Sequence, residues 1–140
     1  MAAPSFVVGV VQRPPVLLER EASLTTAVQA LHEAVEQGCS LVVFPEAYIP
    51  GYPAWIWGLR PGPDFGLTGE IHEHLLRNSV DLDSDDLEPL RSAAAERRVT
   101  LVVGVHERDR RFGGGTLYNT LVVIGPDGAI LNPGLLTYAQ

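Results

Sequence analysis

Residues 38–53 read Gly38-Cys39-Ser40-Leu41-Val42-Val43-Phe44-Pro45-Glu46-Ala47-Tyr48-Ile49-Pro50-Gly51-Tyr52-Pro53, and they decide the fold because an unbroken apolar run ends on a single carboxylate. Leu41 to Phe44 show no alternation, the pattern of a strand covered on both faces, and such strands belong to sheets flanked by helices. Pro45 has no N–H to donate and ends the ladder. Glu46 is therefore expected at a strand end, facing a pocket lined by Tyr48, Ile49 and Tyr52. A carboxyl held among apolar side chains resists ionisation, which is how proteins fit such groups for general-base work near neutral pH. The other reading is a solvated or salt-bridged loop acid.

Working outward, the β-branched run Phe6 to Val11 lies between Pro4 and Pro14-Pro15 and predicts a first buried strand. Leu24, Ala27, Val28, Leu31, Ala34 and Val35 recur at helical spacing with Glu33 and Glu36 on the opposite side, and Gly38 supplies the stop. Strand, helix, strand is a βαβ unit, whose crossover is right-handed and whose sheet needs helical cover. Downstream, residues 45–66 are rich in proline and glycine, hold both tryptophans, and predict a long irregular loop. A helix is expected over 68–78 and another from an Asp86 cap to about Arg98, with Pro89 in its first turn. Strands are expected over Val99 to Val105, Leu117 to Ile124 and, past the turn Gly125-Pro126-Asp127-Gly128, Ala129 to Leu131. The fold class is α/β, a mixed sheet flanked by helices.

The order of glycine, aliphatic pair, Phe44-Pro45-Glu46, Ile49 and Gly51-Tyr52-Pro53 resembles the N-terminal catalytic-glutamate motif of the nitrilase (carbon-nitrogen hydrolase) superfamily, and its Gly-Tyr-Pro ending resembles the nitrilase and cyanide-hydratase branch. Looser likeness runs through Val7 to Gln12, Val99 to Glu107 and Leu117 to Gly128. The resemblance implies half of an α-β-β-α sandwich, with residues 1–140 as the N-terminal part of a truncated hydrolase domain. It implies hydrolysis of a nitrile to a carboxylic acid and ammonia, without cofactor, by a cysteine whose thiol proton a glutamate removes to give the attacking thiolate. Glu46 matches that base.

A lysine in the family stabilises the developing negative charge. All ten basic residues here are arginines. Where the family carries that lysine and then a second glutamate, Ile130 to Gln140 reads Ile-Leu-Asn-Pro-Gly-Leu-Leu-Thr-Tyr-Ala-Gln, with Gln140 at the glutamate's place. The nucleophilic cysteine is expected beyond residue 140. Cys39 begins the strand that ends at Glu46, and seven extended residues separate them by about 20 Å, which gives it a structural role.

The remaining candidates are weighed against plainer readings. Tyr48, Tyr52 and Trp57, with Trp55, either shape a substrate pocket or pack the loop onto the core. His72, Glu73 and His74 suggest a metal, yet neighbours at i and i+2 do not share a helix face, and no metal is expected. Gly113-Gly114-Gly115 after Arg108, Arg110 and Arg111 lacks the strand-to-helix setting of a phosphate loop and reads as a flexible hairpin. Tyr118-Asn119 is expected to serve packing and backbone support.

Composition narrows the partners. A chain of 140 residues that is 46% hydrophobic can bury one core. A net charge of −7 argues against nucleic acid or an anionic membrane surface as partner. No apolar run nears the roughly 20 residues of a bilayer span, and the single cysteine fits a reducing compartment. A cytoplasmic protein is expected, acting on a small nitrile or related substrate and forming a homo-oligomer or a complex with a C-terminal half. The alternative is a catalytically silent family member that acts as an assembly or interaction module.

Overall fold

The apolar run at Leu41 lies inside a five-stranded sheet. The structure is a computed structural model that describes residues 5–110, 115–131 and the backbone of 137–139. Strands β1 (Val8–Val10), β2 (Leu41–Val43), β3 (Thr100–Arg108), β4 (Leu117–Ile124) and β5 (Thr137–Ala139) lie side by side in chain order. β1, β2 and β3 are parallel; β4 and β5 continue antiparallel. Parallel neighbours need long crossovers. Helix α1 (Arg20–Glu36) links β1 to β2, while a 3-10 turn (Ala54–Gly58), α2 (Phe65–Asn78) and α3 (Glu88–Arg97) lie between β2 and β3. This is the expected α/β class.

The period-2 alternation of β3 and β4 sorts the sheet into two faces. Leu101, Val103, Val122 and Ile124 turn toward Leu24, Ala27 and Leu31 of α1 and Leu90, Ala93 and Ala94 of α3, and together they form the core. The other face is only half covered by the described residues. Leu41, Val43, Val102, Leu121 and Val123 are partly buried there, and Val8 and Val10 of β1 are exposed.

That exposure corrects the reading of Phe6 to Val11 as a buried strand. Only Val8–Val10 pair, and Val10 is 70% exposed. β1 is an edge strand covered on its α1 side alone, where a Cβ on Gly9 would lie 3.2 Å from the Ala34 Cβ and 3.1 Å from the Cys39 Sγ. The 45–66 segment is less irregular than expected, since it holds the 3-10 turn and the start of α2. Past the tight turn at Gly125–Gly128, the expected strand at 129–131 reduces to a bridge between Ile130 and Ile124.

Polar ties fix the α1 and α2 ends. The Arg20 guanidinium reaches the Ser79 carbonyl at 3.0 Å and Asp86 Oδ2 at 3.2 Å, and its backbone N–H donates to Asn78 Oδ1. Asp86 Oδ2 also accepts from the Asp81 N–H, and Arg110 closes on Asp81 at 2.7 Å. The acidic run at 81–86 thus serves as an anchor for arginines. Among the described residues no helix is long and apolar enough to cross a membrane.

Candidate active site

The site grows out of an interruption in the β2–β3 ladder. Phe44 N–H donates to the Val102 carbonyl, continuing the pairing one residue past β2. Residues 45–48 then leave the sheet, and Ile49 rejoins it beside Val105, donating to the Gly104 carbonyl at 3.2 Å and accepting from His106 N–H at 2.9 Å. Gly104 lies directly beneath the excursion. A Cβ there would lie 2.5 Å from the Ala47 nitrogen, 2.6 Å from the Pro45 oxygen and 2.8 Å from the Glu46 carbonyl carbon. The Pro45–Ala47 backbone therefore rests directly on β3, and only glycine leaves room for it. Ala47 takes a left-handed φ of 48°, a conformation costing roughly 1–2 kcal/mol outside glycine, and its carbonyl accepts from the Gly51 N–H at 3.0 Å.

Glu46 emerges from this turn on the half-covered face, and its carboxylate is exposed. Its partner is polar: the side-chain amide of Asn119, on β4, donates from Nδ2 to Glu46 Oε1. Asn119 pairs directly across the sheet with His106. His106 is fully buried, and its Nε2 lies 3.1 Å from the Gly51 carbonyl; since a carbonyl only accepts, Nε2 carries the proton.

The apolar pocket expected around Glu46 is not formed by Tyr48 and Ile49. Both are core residues, Tyr48 at 1% exposure with its ring edge-on to Phe44 at 5.1 Å. Because the excursion returns to β3 at Ile49, it carries Tyr48 inward while leaving Glu46 outside. The Tyr48 hydroxyl is buried without a hydrogen-bond partner among the described residues, and this burial raises the phenol above its usual range, with Arg13 acting weakly the other way. Tyr52 is 46% exposed, and Trp57 at 81% stands in solvent.

Apolar space is instead found beside the 3-10 turn. Trp55, Ile56 and Leu59 face Leu75 of α2 and Leu117 of β4 across a cavity of ≈160 Å³. Leu117 precedes Asn119 by two residues and shares its face. A wider cleft of ≈440 Å³ between β1 and α1 is lined by Val10, Arg13, Glu33 and Cys39, among others, and contains neither Glu46 nor Asn119. Cys39 is partly buried at the opposite end of β2 from Glu46.

His72, Glu73 and His74 are exposed on α2, where Glu73 pairs with Arg77 at 2.6 Å. Among the described residues no group of three His, Cys, Asp or Glu side chains could hold a metal ion. Gly113, Gly114 and Gln140 lie outside the described residues.

Asn119 is the residue sequence reasoning missed, since it was assigned to packing. A polar side chain inside the apolar strand Leu117–Ile124 was the available signal. Its meaning needed the β3–β4 register.

A mixed sheet with α1 and α3 packed on one face is a fold found in part of several solved structures. An amidase from Nesterenkonia sp. matches with a TM-score of 0.54 at 19% identity, over 95% of this chain and 41% of that one. The C. elegans NitFhit protein matches with a TM-score of 0.58 at 18% identity, over 95% of this chain and 26% of that one. In sequence, the chain is 38% identical over 128 residues to an aliphatic nitrilase of Rhodococcus rhodochrous, covering 91% of this chain and 33% of that enzyme. It is 33% identical over 132 residues to a cyanide hydratase of Gibberella baccata, covering 94% and 35%. Residues 7–138 match the carbon-nitrogen hydrolase family, and the chain belongs to that family. It spans about a third of the length of these sequence relatives.

Proposed function

We propose that the chain carries the general-base portion of a nitrilase-type hydrolase that converts a nitrile and two waters to a carboxylic acid and ammonia. The observation that supports this best is the Glu46 turn, seated on Gly104 with its carboxylate held by Asn119 on the half-covered sheet face. In this reading Glu46 takes the proton of a cysteine thiol. A thiol with a pKa near ~8.5 is mostly protonated at neutral pH, and the base supplies the thiolate that attacks the nitrile carbon. The resulting thioimidate takes up water and loses ammonia, and a second water releases the acid and restores the thiol.

The chain has no lysine, and Cys39 lies at the wrong end of β2. The lysine and the nucleophile of this reading are therefore supplied by another polypeptide segment. The substrate is a small nitrile, with cyanide or an amide as nearest variants, and no cofactor takes part. Tyr52 and Trp57 meet substrate only if that segment folds over them. The test is ammonia release from a nitrile panel by the chain alone and by the chain mixed with the C-terminal half of a relative. Turnover in the mixture only, abolished by Glu46→Gln, is the expected result; turnover by the chain alone would refute the assignment of the missing groups.

The exposed apolar residues Phe6, Val8 and Val10 favour a second reading, a catalytically silent assembly module. A stable oligomer of the chain together with no turnover in any mixture is the result that selects it.

A further inference from the structure

We propose that His106 and Asn119, paired across β3 and β4, are positioning residues that grip the two ends of the Glu46 turn and leave one carboxylate oxygen, Oε2, as the proton acceptor. This deepens the general-base reading of Glu46 and rests on it.

Directly paired residues of an antiparallel ladder point to the same face, as do residues two apart on one strand. His106, Asn119 and Gly104 therefore share the face on which the turn sits. Gly104 supports the turn from below. At its exit His106 Nε2–H donates to the Gly51 carbonyl, and at its entry Asn119 Nδ2 donates to Glu46 Oε1. An exposed glutamate is otherwise free to sample several rotamers, and ordering it costs side-chain entropy. A donor fixed on a strand supplies that order before substrate arrives. With Oε1 occupied, the proton leaving the thiol is received at Oε2; sulfur gains the negative charge, the carboxyl becomes neutral, and the Asn119 bond persists throughout. An aspartate at 119 cannot serve, because it offers no donor when ionised and sets a second negative charge against Glu46.

The hydrogen bond is read in the ¹⁵N-labelled chain from the side-chain amide pair of Asn119. Glu46→Ala should collapse the separation of its two proton signals and speed their exchange with solvent, while the Asn78 amide, bonded to the His74 carbonyl, stays unmoved as internal control. His106→Leu, which keeps bulk but removes the donor to Gly51, should weaken the Asn119 signature in part. An Asn119 pair indifferent to Glu46→Ala overturns the proposal, and indifference to His106→Leu removes His106 from it. In any active mixture with a relative's C-terminal half, Asn119→Leu should lower kcat roughly ten- to a hundredfold with KM nearly unchanged, the effect of a misplaced catalytic group. If Glu46→Gln abolishes turnover but Asn119→Leu leaves kcat intact, positioning by Asn119 is refuted and the base stands. If Glu46→Gln leaves turnover intact, the base reading itself falls.

Discussion

Gly104 carries more consequence than its size suggests, because the backbone of three consecutive residues occupies the volume where its side chain would begin. Gly104→Ala has backbone atoms rather than a movable side-chain end against it, so the turn must shift. Urea unfolding should show a loss of about 1–3 kcal/mol, accompanied by loss of the Asn119 amide signature. Tyr48 makes an opposite case. Its hydroxyl is buried without a partner, so Tyr48→Phe removes an uncompensated polar atom at nearly constant shape and should leave stability unchanged or raise it by up to about 1 kcal/mol. A clear loss on urea unfolding would mean that the hydroxyl is satisfied. The pH response has a definite sign. The folded phenol titrates above its ordinary 10.0 because it is buried, and the folded state then holds more protons than the unfolded state once pH exceeds that ordinary value. Its titration therefore leaves stability unaffected below pH 10.0 and lowers it as pH rises from there through the folded value. Tyr48→Phe should flatten that alkaline loss in urea midpoints measured from pH 9 upward.

At the scale of elements, α1 is held by its apolar face and by one arginine. Leu31 is fully buried between α1, α3 and the sheet, and Leu31→Ala should cost about 2–5 kcal/mol in chemical denaturation. Arg20 ties the start of α1 to Ser79 and Asp86 at part-buried positions. Arg20→Ala should cost about 1–3 kcal/mol, since it leaves Asp86 without its cation. Concentrated salt should reproduce only part of that loss, because neither side chain is well exposed. Order and type of these elements were readable from local pattern: the 3.6-residue recurrence in α1, the apolar runs of β2, β3 and β4, the Pro-Asp-Gly turn. Their extents were not, since β1 is short and half bare owing to its edge position, and the 3-10 turn forms within a proline- and glycine-rich segment that carries no periodicity.

For the whole molecule, one helix layer on one sheet leaves the second face partly open, with Val8 and Val10 exposed on the edge strand. Contiguous apolar surface of this kind promotes association. Sedimentation velocity should show the chain's mean mass rising with concentration, and Val10→Lys, which places a charge on the bare edge, should shift it toward the monomer.

Glu46 and Asn119 show where local reading stops. That a carboxylate stands at the end of a strand follows from Leu41 to Glu46 alone, because apolar continuity and a proline without N–H act within a few residues; that the strand is covered fully on its α1 and α3 side and only partly on the other does not. The motif around Glu46 likewise placed the chain in its family. What holds the carboxylate is a residue 73 positions away. It is aimed by a β3–β4 register in which a one-residue slip would turn it to the opposite face. Tyr48 goes inward for a similar reason: Ile49 regains the β3 edge, and a backbone hydrogen bond formed there determines which side chains of the excursion are buried. Strand, helix and the position of the Glu46 carboxylate were thus determined by sequence, whereas the grip on that carboxylate was decided by tertiary structure, because sheet register is a property of two strands and belongs to neither segment alone.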